Sequence, residues 1–303
     1  MSNLTVSLSP HVRSDNSTQK TMFYVIASLV PALAFAVYWF GFTVLLTVAL
    51  AVAAAVISEA LTQLALKKPV TIWDGSAALT GVLLAMTLPA GCPWYVPVLG
   101  SVFAIVLAKQ VFGGLGDNFV NPALAGRAFL LASFPVSMTT FPGADAVSTA
   151  TPLSSEFAGG IDYLDAFIGF IPGCIGEVSK VALLIGAVIL ILSRIIDWRI
   201  PASYLGTMIV LSLIFGQPVL DSFLLGGTVL GAFFMATDYV TSPVPPMGRI
   251  IYGAGAGLIT FVIRLWGAYP EGVTYGILIM NIAAPLIERY TRPRKYGEVK
   301  KHA

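Results

Sequence analysis

Long apolar stretches alternate with short polar or glycine-containing turns along most of this chain of 303 residues. A helix needs about 20 apolar residues to cross a bilayer. On that scale the pattern predicts ten membrane segments, at residues 22–40, 43–66, 75–91, 95–112, 120–138, 179–195, 201–216, 221–238, 249–267 and 273–288. Glycine and proline interrupt several of them. For 75–91 and 221–238 this favours broken or half-membrane helices, which are tolerated where protein covers the irregular backbone.

The two halves of the chain resemble each other. Three pairs of stretches align in order: LTGVLLAMTLPAGCP with LGAFFMATDYVTSP (79–93, 230–243), GSVFAIVLAKQVFGG with GAGLITFVIRLWGAY (100–114, 255–269), and NPALAGRAF with NIAAPLIER (121–129, 281–289). Landmark residues match as well, namely Met86 with Met235, Lys109 with Arg264 and Asn121 with Asn281. Because each half has five segments, the halves would be inverted in the membrane. We therefore expect an all-α integral membrane protein with about ten transmembrane helices in two inverted five-helix repeats.

The placement of lysine and arginine predicts the orientation. With ten crossings, all the basic turns and both termini fall on one side, which is the cytoplasm by the positive-inside rule. Residues 139–178 contain no lysine or arginine but five acidic residues, so this loop is expected outside. The predicted organisation has five parts: a cytoplasmic N-terminal segment (1–20), a first repeat (21–138), an external loop (139–178), a second repeat (179–289) and a basic cytoplasmic tail (290–303).

Composition agrees with a membrane protein and excludes several other classes. The chain is 57% hydrophobic and 11% charged, whereas an ordinary soluble domain has about 25% charged residues. Its net charge of +2 is scattered, so no nucleic-acid partner is expected. Cys92 and Cys174 are its two cysteines, too few for an iron–sulfur cluster of its own.

Six charged side chains lie in or at the edges of the apolar segments: Glu59, Asp74, Lys109, Arg127, Asp238 and Arg264. A charge at the bilayer centre costs about 2.5–3.5 kcal/mol, so such residues usually face a protein interior or a water-filled cavity. Lys109 and Arg264 are near segment ends and suit extension towards the headgroups. Arg127 is too central for that, which favours an internal anion or dipole as its partner.

Four blocks of sequence resemble one known family. They are DGSAALTGVLLAMTLP (74–89), GDNFVNPALAGRAF (116–129), IPGCIGE (171–177) and ATDYVTSP (236–243). They are similar to the D subunit of the Rnf electron-transport complex and to its homologue, the B subunit of the sodium-pumping NADH:quinone reductase. The resemblance extends from about residue 20 to residue 290.

The family carries a flavinylation motif, Asp-x-x-Ser/Thr-Gly-Ala-Thr, in which the phosphate of FMN esterifies the last threonine. The stretch ADAVSTATPL (144–153) resembles it: Asp145, Ser148, Ala150 and Thr151 match, while Thr149 stands where the motif has glycine. The resemblance thus implies covalent FMN on Thr151, attached by a dedicated flavin transferase. A reachable hydroxyl with small neighbours in a loop suits such chemistry.

Further cofactor-binding residues are expected from the other family blocks. Asn121 and Arg127 in the second block, and Thr237 and Asp238 in the fourth, are candidates for the protein core around the flavin. Packing and helix breaks would explain the same residues equally well. A second, non-covalent flavin (riboflavin) is left open.

The resemblance implies one subunit of a six-subunit complex that moves electrons between reduced ferredoxin and NAD, coupled to Na⁺ or H⁺ translocation. The chain would act in an enzyme without being catalytic alone. Its implied partners are the A, B, C, E and G subunits, above all the flavin-carrying G subunit, together with the flavin transferase and membrane lipid. The implied location is the cytoplasmic (inner) membrane.

Two alternatives remain at this point. One is a subunit like that of the quinone reductase, although that family has a longer N-terminal segment than the roughly twenty residues found before the first apolar run here. The other is a flavin-free transporter or channel, because inverted five-plus-five repeats resemble the urea-transporter architecture. Flavin content distinguishes an electron-transport subunit, which would carry flavin, from a transporter or channel, which would carry none.

Overall fold

The computed structural model describes residues 17–142, 148–149, 162–267 and 272–293. Most of these residues are helical. The helices are α1 (Thr18–Phe40), α2 (Thr43–Ala65), α3 (Ser76–Met86), α4 (Tyr95–Ile105), α5 (Pro122–Ser133), α6 (Pro135–Thr139), α7 (Tyr163–Ile168), α8 (Lys180–Leu192), α9 (Arg199–Ile214), α10 (Val219–Leu224), α11 (Thr228–Leu230), α12 (Pro246–Trp266) and α13 (Val273–Thr291).

Three kinds of irregular element complete the fold. A 3₁₀ turn at Ile72–Asp74 precedes α3, and π-helical turns at Val106–Gln110 and Gly231–Met235 continue α4 and α11. Two short antiparallel strands, β1 (Phe141–Pro142) and β2 (Ser148–Thr149), pair with each other. The expected all-α class is therefore confirmed, with this minimal strand pair as its addition.

Three of the described helices, α1, α2 and α12, are long and apolar enough to cross a membrane. Helices α3, α8 and α9, and α4 with its π-helical turn, are apolar but shorter. Large apolar side chains cover the outside of these helices; for example, Leu192 at the end of α8 is 77% exposed. A surface this apolar suits contact with lipid or with other membrane subunits.

Each of the ten predicted segments contains helix over at least part of its length, and the two expected interruptions are present. Helix α3 has 11 residues, which rise about 16 Å, well short of a hydrocarbon core of about 30 Å. The stretch 221–238 is divided among the end of α10, α11 and a π-helical turn. Glycine at residues 226, 227 and 231 explains this break, because glycine weakens helix interiors.

Helices pack in two groups. In the first half α2 contacts α3 and α4, and α4 contacts α5; in the second half α9 contacts α12, and α12 contacts α13. Close approach in the first group depends on Gly81, where a Cβ atom would lie 2.7 Å from the Cα of Val52. Helices α1 and α8, and helices α5 and α13, join the two groups.

Candidate functional site

A cavity of about 80 Å³ lies at the end of the helix bundle where α1, α3 and α5 begin. Three of the predicted cofactor-binding residues, Asn121, Thr237 and Asp238, line it together. Phe233 and Phe234 provide aromatic walls, and the lining also includes Lys109. We call this space the inner cavity. It unites the second and fourth family blocks, although they are more than a hundred residues apart.

Local structure explains how Asn121 reaches the inner cavity. Its side-chain oxygen caps α5 by accepting the backbone N–H groups of Ala123 (3.0 Å) and Leu124 (3.3 Å). Pro122 follows at the first helical position, where a missing N–H costs nothing. The side-chain amide of Asn121 donates to the carbonyl of Met235 at 3.2 Å. Asn121 therefore ties the start of α5 to the π-helical turn of the other half.

Thr237 and Asp238 follow that π-helical turn. The Thr237 hydroxyl donates to the carbonyl of Phe233 at 2.7 Å. The Asp238 carboxylate accepts the hydroxyl of Thr241 at 3.2 Å and the backbone N–H of Val240 at 3.4 Å. These contacts hold the turn that places the Asp238 carboxylate beside the inner cavity.

A buried ion pair adjoins the same cavity. The Lys109 ammonium donates to a carboxylate oxygen of Glu59 at 2.7 Å and to the hydroxyl of Ser76 at 2.6 Å. The side-chain amide of Gln110 donates to the same Glu59 oxygen at 2.7 Å. The Lys109 and Glu59 side chains are only 2% and 1% exposed.

For Lys109 and Arg264 the structure supports the interior placement expected of intramembrane charges over the alternative of extension towards the headgroups. Lys109 turns inward because Glu59 offers an opposite charge in the protein interior. Arg264 donates to the carbonyls of Ser222 (3.2 Å) and Leu225 (3.1 Å) and to the hydroxyl of Thr228 (2.7 Å). Hydrogen bonds to carbonyl and hydroxyl dipoles replace the water that the guanidinium would otherwise seek.

Arg127 lies apart from the inner cavity. Its guanidinium is buried, and both terminal nitrogens are 3.6 Å from the sulfur of Cys174. The expected internal dipole partner of Arg127 is thus confirmed in Cys174. An extended segment brings Cys174 there, because the N–H groups of Ile175 and Gly176 donate to the carbonyls of Leu88 (2.9 Å) and Met86 (2.6 Å).

The described part of the stretch that resembles the flavinylation motif follows α5 and α6, beyond the end of α5 that is remote from the inner cavity. Ser148 belongs to β2, where it pairs with Pro142 of β1. Strand β1 follows α6 after α5, and the 12 residues of α5 rise about 18 Å away from the inner cavity. Asp145, Ala150 and Thr151 lie outside the described residues.

The predicted cofactor residues that the structure describes therefore do not form a single site. Asn121, Thr237 and Asp238 meet at the inner cavity. The length of α5 separates them from Ser148, and Arg127 faces Cys174 instead.

Sequence reasoning missed the partners in the Lys109 cluster. Glu59 stood out as an intramembrane charge, but its contact with Lys109 spans 50 positions, which no local spacing reveals. Two signals marked Lys109 in the sequence: its charge within an apolar segment and its alignment with Arg264. Among the described residues, no group of three His, Cys, Asp or Glu side chains could hold a metal ion.

The two cysteines do not form a disulfide. Cys174 is buried and Cys92 is partly exposed in the turn between α3 and α4. Burial raises the pKa of the Cys92 thiol to about 11, although a hydrogen bond with the Thr47 side chain opposes the rise. Cys92 is therefore a neutral thiol at physiological pH.

Comparison with known proteins identifies the family of this chain. Residues 5–297 match the NQR2, RnfD, RnfE family, which is nearly the whole chain. The chain therefore belongs to this family.

Individual relatives are similar over almost their full lengths. The chain is 54% identical to the D subunit of the Na⁺-translocating ferredoxin:NAD⁺ oxidoreductase complex of Acetobacterium woodii, covering 99% of this chain and 98% of the relative. It is 45% identical to the D subunit of the proton-translocating ferredoxin:NAD⁺ oxidoreductase complex of Clostridium ljungdahlii (97% and 96%). It is 37% identical to the D subunit of the ion-translocating oxidoreductase complex of Aliivibrio salmonicida (97% and 99%).

Proposed function

We propose that this chain is the D-type membrane subunit of an ion-translocating ferredoxin:NAD⁺ oxidoreductase complex and relays electrons through FMN esterified to Thr151. The observation that carries the proposal is the 54% identity, over nearly the full length of both chains, to the D subunit of such a complex. All three relatives are named as D subunits of ion-translocating oxidoreductase complexes, which favours this function over the quinone-reductase and transporter alternatives.

Thr151 is the proposed attachment residue because it occupies the acceptor position of the ADAVSTAT stretch. When bound, FMN supplies one- and two-electron chemistry, while the protein fixes its position. The β1–β2 pairing supports this role. It anchors the chain at Ser148–Thr149, just before Thr151, and at the end of the bundle away from the inner cavity.

The proposed architecture has ten crossings in two inverted five-helix repeats. Equivalent helices make equivalent contacts, since α2 packs on α4 as α9 packs on α12. The matched cations behave alike as well. Lys109 donates to Ser76 at the start of α3, and Arg264 donates to Thr228 at the start of α11. Helices α3 and α11 thus each begin beside a hydroxyl that accepts a hydrogen bond from a cation of the next apolar segment along the chain.

The proposed orientation puts both termini and the inner cavity at the cytoplasmic face of the inner membrane, with the flavin loop outside. Basic residues concentrate at the helix ends on one side, such as Lys20, Lys67 and Arg199. The flavin-carrying G subunit would approach the opposite face and exchange electrons with the FMN. The A, B, C and E subunits complete the proposed assembly, and a flavin transferase matures it.

The inner cavity is a candidate site for the second, non-covalent flavin or for the translocated cation. Phe233 and Phe234 offer aromatic surfaces to a flavin ring, and Lys109 and Asp238 supply opposite charges around the space.

Complementation of a strain that lacks its own D subunit tests the function. Membranes with this chain should reduce NAD⁺ with reduced ferredoxin, and inverted vesicles should take up the coupling ion. Because two relatives are described as translocating Na⁺ and protons respectively, uptake is measured with ²²Na⁺ and with a pH-sensitive dye. Thr151→Val should abolish both activities, whereas Thr149→Val should retain them. Full ferredoxin:NAD⁺ activity in Thr151→Val would refute the relay.

A further inference from the structure

A second cavity, of about 300 Å³, opens where the turn between α8 and α9 meets the start of α12. Arg194, Asp197 and Trp198 of that turn line it, with Ser242 and Arg249 on the other side. We call this space the arginine pocket. It lies at helix ends, where the apolar outer surface gives way to polar turns.

The pocket has an excess of positive charge. Among the described residues, Asp197 is its one lining carboxylate, and two arginines share that carboxylate: Arg199 at 3.1 Å and Arg249 in closer contact. Burial alone would raise the pKa of Asp197, but the hydrogen bonds from the Arg199 backbone and from Arg249 outweigh it and hold the pKa below its usual range. Arg194 and Arg249 line the pocket with one ionised aspartate, which leaves one positive charge in excess, and Arg199 pairs with the same aspartate from outside the lining.

These arginines occupy positions that folding alone does not favour. Arg199 is the first residue of α9, and Arg249 is in the first turn of α12. A cation there opposes the helix dipole, and the one carboxylate of Asp197 is shared between the two guanidinium groups. Arg194 has a φ of 54°, in the left-handed region that favours glycine. A bound anion would offset these costs, because it attracts the guanidinium groups and the helix N-termini alike.

We propose that the arginine pocket binds a phosphate group, and specifically the headgroup phosphate of an anionic phospholipid. Guanidinium groups bind phosphate oxygens with paired hydrogen bonds, and basic pockets between helices at the cytoplasmic surface bind such headgroups. Trp198, 60% exposed beside the pocket, suits the membrane–water boundary. Leu192, two residues before Arg194, is exposed and offers an apolar surface for an acyl chain.

The arginine pocket also touches the inner cavity. Four residues line both spaces: Ile195, Ile196, Thr237 and Tyr239. The Tyr239 hydroxyl donates to the carbonyl of Ile195 and closes the wall between them. A bound headgroup would therefore stabilise the wall that separates the inner cavity from the membrane surface.

Lipid retention by the intact complex tests the proposal. The complex is reconstituted into nanodiscs of phosphatidylcholine with phosphatidylglycerol, then returned to detergent, and retained phosphatidylglycerol is measured by mass spectrometry. Arg194→Gln should lower retention about fivefold, the effect of removing one basic contact, and Arg249→Gln should lower it at least as much. The matched control is Arg292→Gln, which removes an exposed arginine outside the pocket. Equal retention in all four proteins would overturn the proposal.

A competition experiment distinguishes the two sources of phosphate. Inorganic phosphate, at concentrations matched in ionic strength with sodium chloride, should not displace phosphatidylglycerol from the wild-type complex beyond the salt control. Specific displacement would overturn the assignment to lipid and identify a site for soluble phosphate. Because Arg194 is exposed at a turn, Arg194→Gln should leave assembly and flavin content unchanged. The measured retention of phosphatidylglycerol therefore tests the lipid site separately from the proposed electron relay.

Discussion

The ammonium group of Lys109 lies 2.7 Å from a carboxylate oxygen of Glu59, and both side chains are almost completely buried. The pair joins the π-helical turn after α4 to the second half of α2. Ser76 and Gln110 add further hydrogen bonds to it. Such a cluster costs desolvation energy when it forms, but it becomes much more costly when one partner is removed.

Removing one charge of this pair should therefore destabilise the protein strongly. We expect Glu59→Gln or Lys109→Met to lower the free energy of unfolding by about 3–5 kcal/mol, because a buried charge is left unpaired. The double variant Glu59→Gln/Lys109→Met should be less destabilised than either single variant. Thermal unfolding of the purified complex measures this. A double variant as unstable as the sum of the singles would contradict the pairing.

Two glycine-to-alanine substitutions should affect the stability of the protein differently. Gly81→Ala inserts a methyl group 2.7 Å from the Cα of Val52 and should cost about 1–3 kcal/mol through overpacking. At Gly206 in α9 nothing lies within 4 Å of the new Cβ, so Gly206→Ala should be neutral or stabilise by up to about 1 kcal/mol. The midpoint of thermal aggregation compares them. Equal stability of both variants would contradict the close α2–α3 contact.

The proposed orientation predicts which side of the membrane a cysteine reaches. Leu164 in α7 is 67% exposed within the predicted external loop, so Leu164→Cys should react with an impermeant maleimide added to intact cells. Arg292→Cys, at the end of α13, should react only after lysis. Reaction in the reverse order would invert the proposed topology.

In such labelling experiments the native thiol of Cys92 should react little with maleimide at neutral pH. Its pKa is raised to about 11 by burial, so the reactive thiolate is scarce near pH 7 and increases about tenfold per pH unit below the pKa. Labelling of Cys92 in purified complex should therefore accelerate steadily from pH 7 to pH 10. Because the Thr47 side chain lowers the pKa, Thr47→Val should slow labelling at each pH. A rate that levels off near pH 8 would contradict the buried environment.

Runs of apolar residues were sufficient to predict the all-α class and the longest helices. Continuous runs of about 20 apolar residues specify α1, α2 and α12 almost by composition, and glycine predicted the break before α11. The same apolar runs revealed the interior charges, since Glu59 and Lys109 interrupt otherwise apolar segments.

The arrangement of the polar groups depended on tertiary packing and could not be read from spacing. The sequence left two placements open for Lys109, the interior and the headgroups, because no local pattern shows that Glu59 lies opposite it. Likewise, Cys174 reaches Arg127 only through backbone hydrogen bonds such as that between Gly176 and Met86. The family motifs grouped Asn121 with Ser148, but a motif does not encode the length of α5 that separates them.

Covalent flavin on Thr151 is the central claim, and in-gel fluorescence tests it most directly. The complex is produced together with a flavin transferase, separated by denaturing electrophoresis and illuminated before staining. A fluorescent band at the size of this subunit, lost in Thr151→Val and retained in Thr149→Val, is the predicted result. A dark wild-type band, or fluorescence that persists in Thr151→Val and disappears in Thr149→Val, would contradict the account.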